Sequence, residues 1–200
     1  MKIYHYTKGT SINSIFTDGF IATESKRGIS NTPRTTDCVW LTEKKQFPKT
    51  ALPFINFMPE TNLMAHIGKK AVFVDLDKVS SFVGGIYRFS FDSTEQQFKR
   101  WKFCDERKAL MNDMFWRSME QLANKVGDEV QAFWISTTDL KLENFSLERF
   151  ENGYWNAVLK DVSLSNLSAD DRAIVIDLAE TSKKTCVKLG LPLHHVKLAA

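Results

Sequence analysis

The chain has 200 residues, of which 43% are apolar and 26% charged, with a formal net charge of +3. That length suits one domain or one domain with an appendage, and the apolar share supports a packed core, which excludes wholesale disorder. The charge is uneven: residues 1–50 carry eight Lys/Arg against four Asp/Glu, a local +4, and the remaining residues sum to −1, so an anionic partner is expected to meet the N-terminal quarter.

In chain order, "KIYHYT" (residues 2–7) alternates and is rich in aromatics, the pattern of a strand. His5 and Thr7 are two apart and share one face, with Tyr4 and Tyr6 on the other. "SINSIFTDGFI" places Ile12, Ile15 and Phe16 at helical spacing, with Ser11 as candidate cap and Gly19 as the stop. Residues 22–37 are polar and basic, with Lys26, Arg27 and Arg34, and read as a long loop. "VWLT" (39–42) reads as a short strand with Trp40 and Thr42 on one face. "KAVFVDLD" (70–77) and "GGIYRFSFD" (84–92) read as further strands, the second with Arg88 between apolar neighbours.

From Ser93 to about Val126 the pattern is helical, broken near Cys104, with Phe115, Met119 and Leu122 as a core stripe and Gly127 as the stop. "DEVQAFWIS" (128–136) and "LKLENFSLERF" (140–150) read as strands, with Glu129 at the mouth of the first. Residues 168–190 form an amphipathic helix capped by Ser168, with Asp170 and Asp171 at its positive end and Lys183, Lys184 and Lys188 toward its negative end. Ile174, Leu178 and Leu189 mark its expected buried side, and Gly190 ends it.

Cys38, Cys104 and Cys186 are too few and too scattered for a disulfide framework, and no CxxC pair suggests zinc. Cys186 with His194 and His195 lacks the spacing of a fourth ligand, so no metal site is assigned. No apolar run approaches the roughly 20 residues of a membrane span. The expectation is a cytoplasmic protein with no membrane partner.

The ordered set of "YHYT", a helix ending in "DG", a polar loop and "VWLT" resembles the N-terminal half of the ADP-ribosyltransferase superfamily, in its His–Tyr–Glu and DarT-like branches. The resemblance runs over residues 2–136 and is specific in the first 42. It implies an α+β fold with a split β-sheet core and flanking helices, set at residues 1–150, and a C-terminal helical extension at 151–200 packed on it.

It also implies NAD as substrate, His5 as the ribose-binding histidine with Tyr6 and Thr7 beside it, and Trp40 and Thr42 at the aromatic-hydroxyl position. Glu129 would be the catalytic carboxylate, with Glu106 and Glu120 as rivals. From the residues alone, Arg88 is an edge or snorkelling arginine or the partner of a phosphate or carboxylate. Phe47 and Phe54 lie near the expected distance of a second stacking aromatic. Tyr6 stands where the polymerases carry glycine, and Trp40 where they carry tyrosine.

The implied activity is mono-ADP-ribosylation of a macromolecular acceptor, protein or nucleic acid, by a toxin, an effector or a phage-encoded modifier, with an oligomer or an antitoxin as further partner. Two alternatives share the fold: a non-catalytic binding or inhibitor protein, and an RNA 2′-phosphotransferase.

Overall fold

The computed structural model describes residues 1–23, 38–48, 76–94, 97–104, 120–121, 123–124 and 127–191. The fold is α+β. Its strands are β1 (Lys2–Lys8), β2 (Phe20–Ile21), β3 (Val39–Thr42), β4 (Ile86–Asp92), β5 (Lys99–Arg100), β6 (Phe133–Ser136), β7 (Leu140–Lys141), β8 (Phe145–Glu151) and β9 (Tyr154–Val162). Its helices are α1 (Gly9–Asp18), α2 (Leu76–Val83) and α3 (Ala169–Lys188). Short 3-10 turns stand at Trp101–Phe103, Val130–Ala132 and Leu164–Asn166.

The chain forms two compact units interleaved in sequence. The first takes residues 1–5, 22–73 and 92–140, and the second residues 6–21, 74–91 and 141–200.

In the first unit the strand order is β5-β6-β3-β1, antiparallel at every junction. The register pairs Tyr4 with Thr42, Trp40 with Ile135, Leu41 with Trp134, Thr42 with Phe133 and Arg100 with Trp134. One core cluster joins Cys38, Trp101, Cys104, Ala123, Val130 and Ile135, with Trp40 and Phe133 packed against it.

In the second unit β4, β8 and β9 run antiparallel side by side. Phe89 sits between Phe16 and Phe145, with ring centroids 6.1 and 5.6 Å away. α1 packs on α3: the Asn13 N–H donates to Ser182 Oγ at 3.1 Å, and the Cys186 thiol donates to the Thr10 carbonyl at 3.3 Å. Burial holds the Cys186 thiol pKa up.

Several elements depart from the expectation. α1 begins at Gly9 with no side-chain cap, ahead of the expected Ser11; its end at Gly19, in the left-handed region, agrees. Leu76 and Asp77, expected in a strand, open α2, because Val79 and Val83 recur at helical spacing and are both buried. Residues 70–75 lie outside the described residues.

The helical pattern after Ser93 begins instead as strand β5 and a 3-10 turn. Phe98, Trp101 and Cys104 are buried at intervals of three, which one 3-10 turn satisfies as well as a helix does. Phe115 and Met119 fall outside the described residues. Residues 128–132 precede the strand β6 and are not part of it.

Residues 151–162, assigned to a helical extension, belong to a hairpin: β9 pairs with β8 across Asn152-Gly153, both at positive φ. The helical part is α3, capped by Ser168 as expected. Its buried residues are Val175, Leu178, Ser182 and Cys186, so the buried side is rotated from the expected one; Ile174 is exposed. Among the described residues no helix is long and apolar enough to cross a membrane.

Candidate functional site

The expected site residues divide between the two units. His5, Trp40, Thr42 and Glu129 lie in the first; Tyr6, Thr7 and Arg88 lie in the second.

In the first unit, β1 is buried from Ile3 to His5 on both faces. The His5 ring shares a hydrogen bond of 2.9 Å between Nδ1 and the Trp40 carbonyl. A carbonyl only accepts, so Nδ1 carries the proton, and in the neutral ring Nε2 is the acceptor nitrogen. The bond ties the histidine strand to the tryptophan strand through the backbone.

The side chains diverge. Residues directly opposite in an antiparallel pair share a face. Tyr4 opposes Thr42, so Thr42, and Trp40 by alternation, lie on the Tyr4 face, and His5 lies on the other with Leu41. The Trp40 ring packs 4.8 Å from Trp101 and 6.2 Å, edge-on, from Phe133. It is a half-buried member of the core cluster rather than an open stacking platform. Thr42 is buried, and its Oγ1 accepts from the Lys44 N–H at 3.2 Å, a local turn that ends β3.

Glu129 is exposed and pairs with the exposed Lys44 at 2.8 Å. Beside it lies a constellation that sequence reasoning passed over. Glu43, the residue after "VWLT", accepts at Oε2 from the Arg100 guanidinium at 3.0 Å and from the Trp134 indole N–H at 3.3 Å. Arg100 lies over the Trp134 ring at 4.7 Å and donates a second bond to the Gln131 carbonyl at 3.1 Å. The sequence signal was there: Glu43 extends the strand alternation of "VWLT" by one residue on the Leu41 face. Its partners, Arg100 and Trp134, are too far along the chain to be read from spacing.

In the second unit, Arg88 meets a carboxylate of this chain. Its Nε and one terminal nitrogen donate to the two Glu148 oxygens at 2.6 and 3.0 Å. Arg88 and Glu148 are direct cross-strand partners, which fixes the fork. The guanidinium lies 4.3 Å from the Trp155 ring centroid and also bonds the Tyr6 hydroxyl. Tyr6 meets the Trp155 ring edge-on at 5.5 Å. Arg88 is thus occupied, and Tyr6 braces it. Thr7 is buried on the same strand.

An open cleft of about 400 Å³ lies between the β8–β9 hairpin and α3, with Arg149, Glu151, Asn156 and Asp177 among its walls. Tyr87 is buried near those charges; burial raises its hydroxyl pKa, and the Arg149 charge partly opposes this. None of the expected site residues lines the cleft.

Among the described residues no group of three or more His, Cys, Asp or Glu could hold a metal. Of the rivals and supports named from sequence, Glu120 is half-buried at a helical position and Phe47 half-buried beyond β3. Phe54, Glu106, Lys26, Arg27, Arg34, His194 and His195 lie outside the described residues. No protein-family model, curated protein or solved structure matches the chain.

Proposed function

We propose that this chain is an NAD⁺-dependent mono-ADP-ribosyltransferase, transferring ADP-ribose to a protein or nucleic-acid acceptor. One observation carries the reading. The three sequence-distant segments of the resemblance, the His5 strand, the "VWLT" strand and the strand that follows Glu129, are consecutive neighbours β1, β3 and β6. The hydrogen bond from His5 to the Trp40 carbonyl ties the first two together.

The chemistry asks for few groups. The ribose–nicotinamide bond breaks with its electron pair leaving on neutral nicotinamide. The sugar passes through an oxocarbenium-like state, and the acceptor nucleophile adds to the same carbon and loses a proton. The leaving group is cationic at the start and needs no general acid. A carboxylate near the sugar stabilises the developing charge, and a fixed imidazole with an acceptor nitrogen suits a ribose hydroxyl. Carboxylates stand at the β3–β6 end of the first unit, at Glu43 and Glu129.

The test is incubation with NAD⁺ labelled in the adenylate half, with cell lysate as acceptor. Nicotinamide release together with label on a macromolecule is expected. Neither product, with no NAD⁺ binding by calorimetry, overturns the reading.

A second reading, a non-catalytic binding domain of the same class, is favoured by the Trp40 ring, which is spent on core packing rather than presented to a ligand. NAD⁺ binding without nicotinamide release in the same experiment selects it.

A further inference from the structure

We propose that Glu43, held by Arg100 and Trp134, is the catalytic carboxylate of the transferase; this rests on the ADP-ribosyl reading above and replaces Glu129 in that role.

The register places Glu43 on the face of the sheet that carries His5. Leu41 opposes Trp134, and Trp134 opposes Arg100. With Tyr4 opposite Thr42, His5 falls opposite Leu41. His5, Leu41, Trp134 and Arg100 therefore form one row across four strands on a single face of the first unit's sheet. Glu43 is two residues after Leu41 and shares that face, and its bonds to Trp134 and Arg100 agree with this. Trp40 and Thr42 project from the opposite face.

The hydrogen bonds give Glu43 an asymmetry useful to a catalyst. Both donors converge on Oε2. Among the described residues none bonds Oε1, and the side chain keeps 25% of its surface exposed. One oxygen is fixed and the other is left to a ligand. Arg100 is itself held, by the Gln131 carbonyl and by the Trp134 face, so the carboxylate needs no reorganisation when positive charge develops beside it.

Glu129 lacks this support. Its side chain is 54% exposed, and Lys44, with which it pairs, is 46% exposed. A pair this exposed is weakly held. In the proposed step Glu43 Oε1 faces the ribose as the bond to nicotinamide breaks. Arg100 and Trp134 act through Glu43 and are positioning residues.

The experiment compares wild type, Glu43→Gln, Glu129→Gln and Trp134→Phe in nicotinamide release, NAD⁺ binding by calorimetry and thermal melting. Glu43→Gln is isosteric and keeps an oxygen for Arg100 and Trp134. Its kcat is expected to fall by about 100-fold or more at an unchanged melting point and with NAD⁺ affinity within a few fold, while Glu129→Gln loses about tenfold or less.

Trp134→Phe removes one of the two donors that hold the carboxylate in place. Its kcat is expected to fall by more than its KM changes, because the carboxylate is bound less firmly in the transition state. That readout stands even if Glu43→Gln folds poorly. Turnover by Glu43→Gln near wild type, a larger loss in Glu129→Gln, or an unchanged kcat in Trp134→Phe overturns the assignment and leaves the transferase reading intact. A wild type that neither binds nor cleaves NAD⁺ overturns both.

Discussion

Arg88 is a strand arginine among apolar neighbours, and the sequence left its partner open between a ligand phosphate and a carboxylate. The partner is Glu148, directly opposite on β8, with the rings of Tyr6 and Trp155 completing the enclosure. Removing one member of such a pair strands a poorly hydrated charge. Arg88→Met is therefore expected to cost about 3 kcal/mol, and the double replacement Arg88→Met/Glu148→Met less than the single one. Urea unfolding of the single and double variants checks this, and a double variant less stable than Arg88→Met alone would contradict it. The same scale separates His5 from Trp40: both were legible as unusual, yet the ring of one bonds a carbonyl and the ring of the other fills a core.

The start of α1 shows why an element boundary escapes local propensity. Ser11 is the better cap by residue type, yet the helix starts at Gly9, whose N–H donates to the Gly85 carbonyl at 2.7 Å. A Cβ on residue 9 would stand 2.0 Å from the Gly84 carbonyl oxygen, backbone that cannot step aside cheaply. Gly9→Ala is expected to destabilise by about 3 kcal/mol, read as a large fall in melting temperature; a fall of a degree or less would refute the close approach. On α3, the buried side follows its partner more than hydrophobicity. Ser182 and Cys186 face α1 because a hydroxyl and a thiol can bond its backbone groups, which Ile174 cannot. The β8–β9 hairpin carried a plain local signal, since Asn-Gly suits a turn with both central residues at positive φ. The reading that ran a helical extension from residue 151 passed over it.

At the level of the whole molecule, the expected boundary at residue 150 does not coincide with either compact unit. Each unit draws on three separated stretches of sequence, and β1 contributes to both. Within the second unit a cut at 150 removes β9, which pairs along β8, and α3, which packs on α1. It also takes away Trp155, which covers Tyr6 and Arg88. A chain ending at residue 150 is expected to lack a cooperative thermal transition and to aggregate. A sharp melt monitored by near-ultraviolet circular dichroism would show that residues 1–150 stand alone.

The sequence by itself determined the α+β class, β1, the end of α1 at Gly19, β3, β4 and the capped helix α3, because each is written in contiguous periodicity and in caps that act within a few residues. It also singled out His5, whose tie to Trp40 lies in the structure. What only the tertiary structure decided is which residues meet. A one-residue step in strand register moves a side chain to the opposite face, so the pairing of Tyr4 with Thr42 parted Trp40 from His5 and left Glu43 on the His5 face. Arg100 and Trp134 come from two strands and Glu43 from the turn that follows a third, and Arg88 and Glu148 come from two more strands. Such contacts follow from hydrogen-bonded strand order, which no local pattern in the chain encodes.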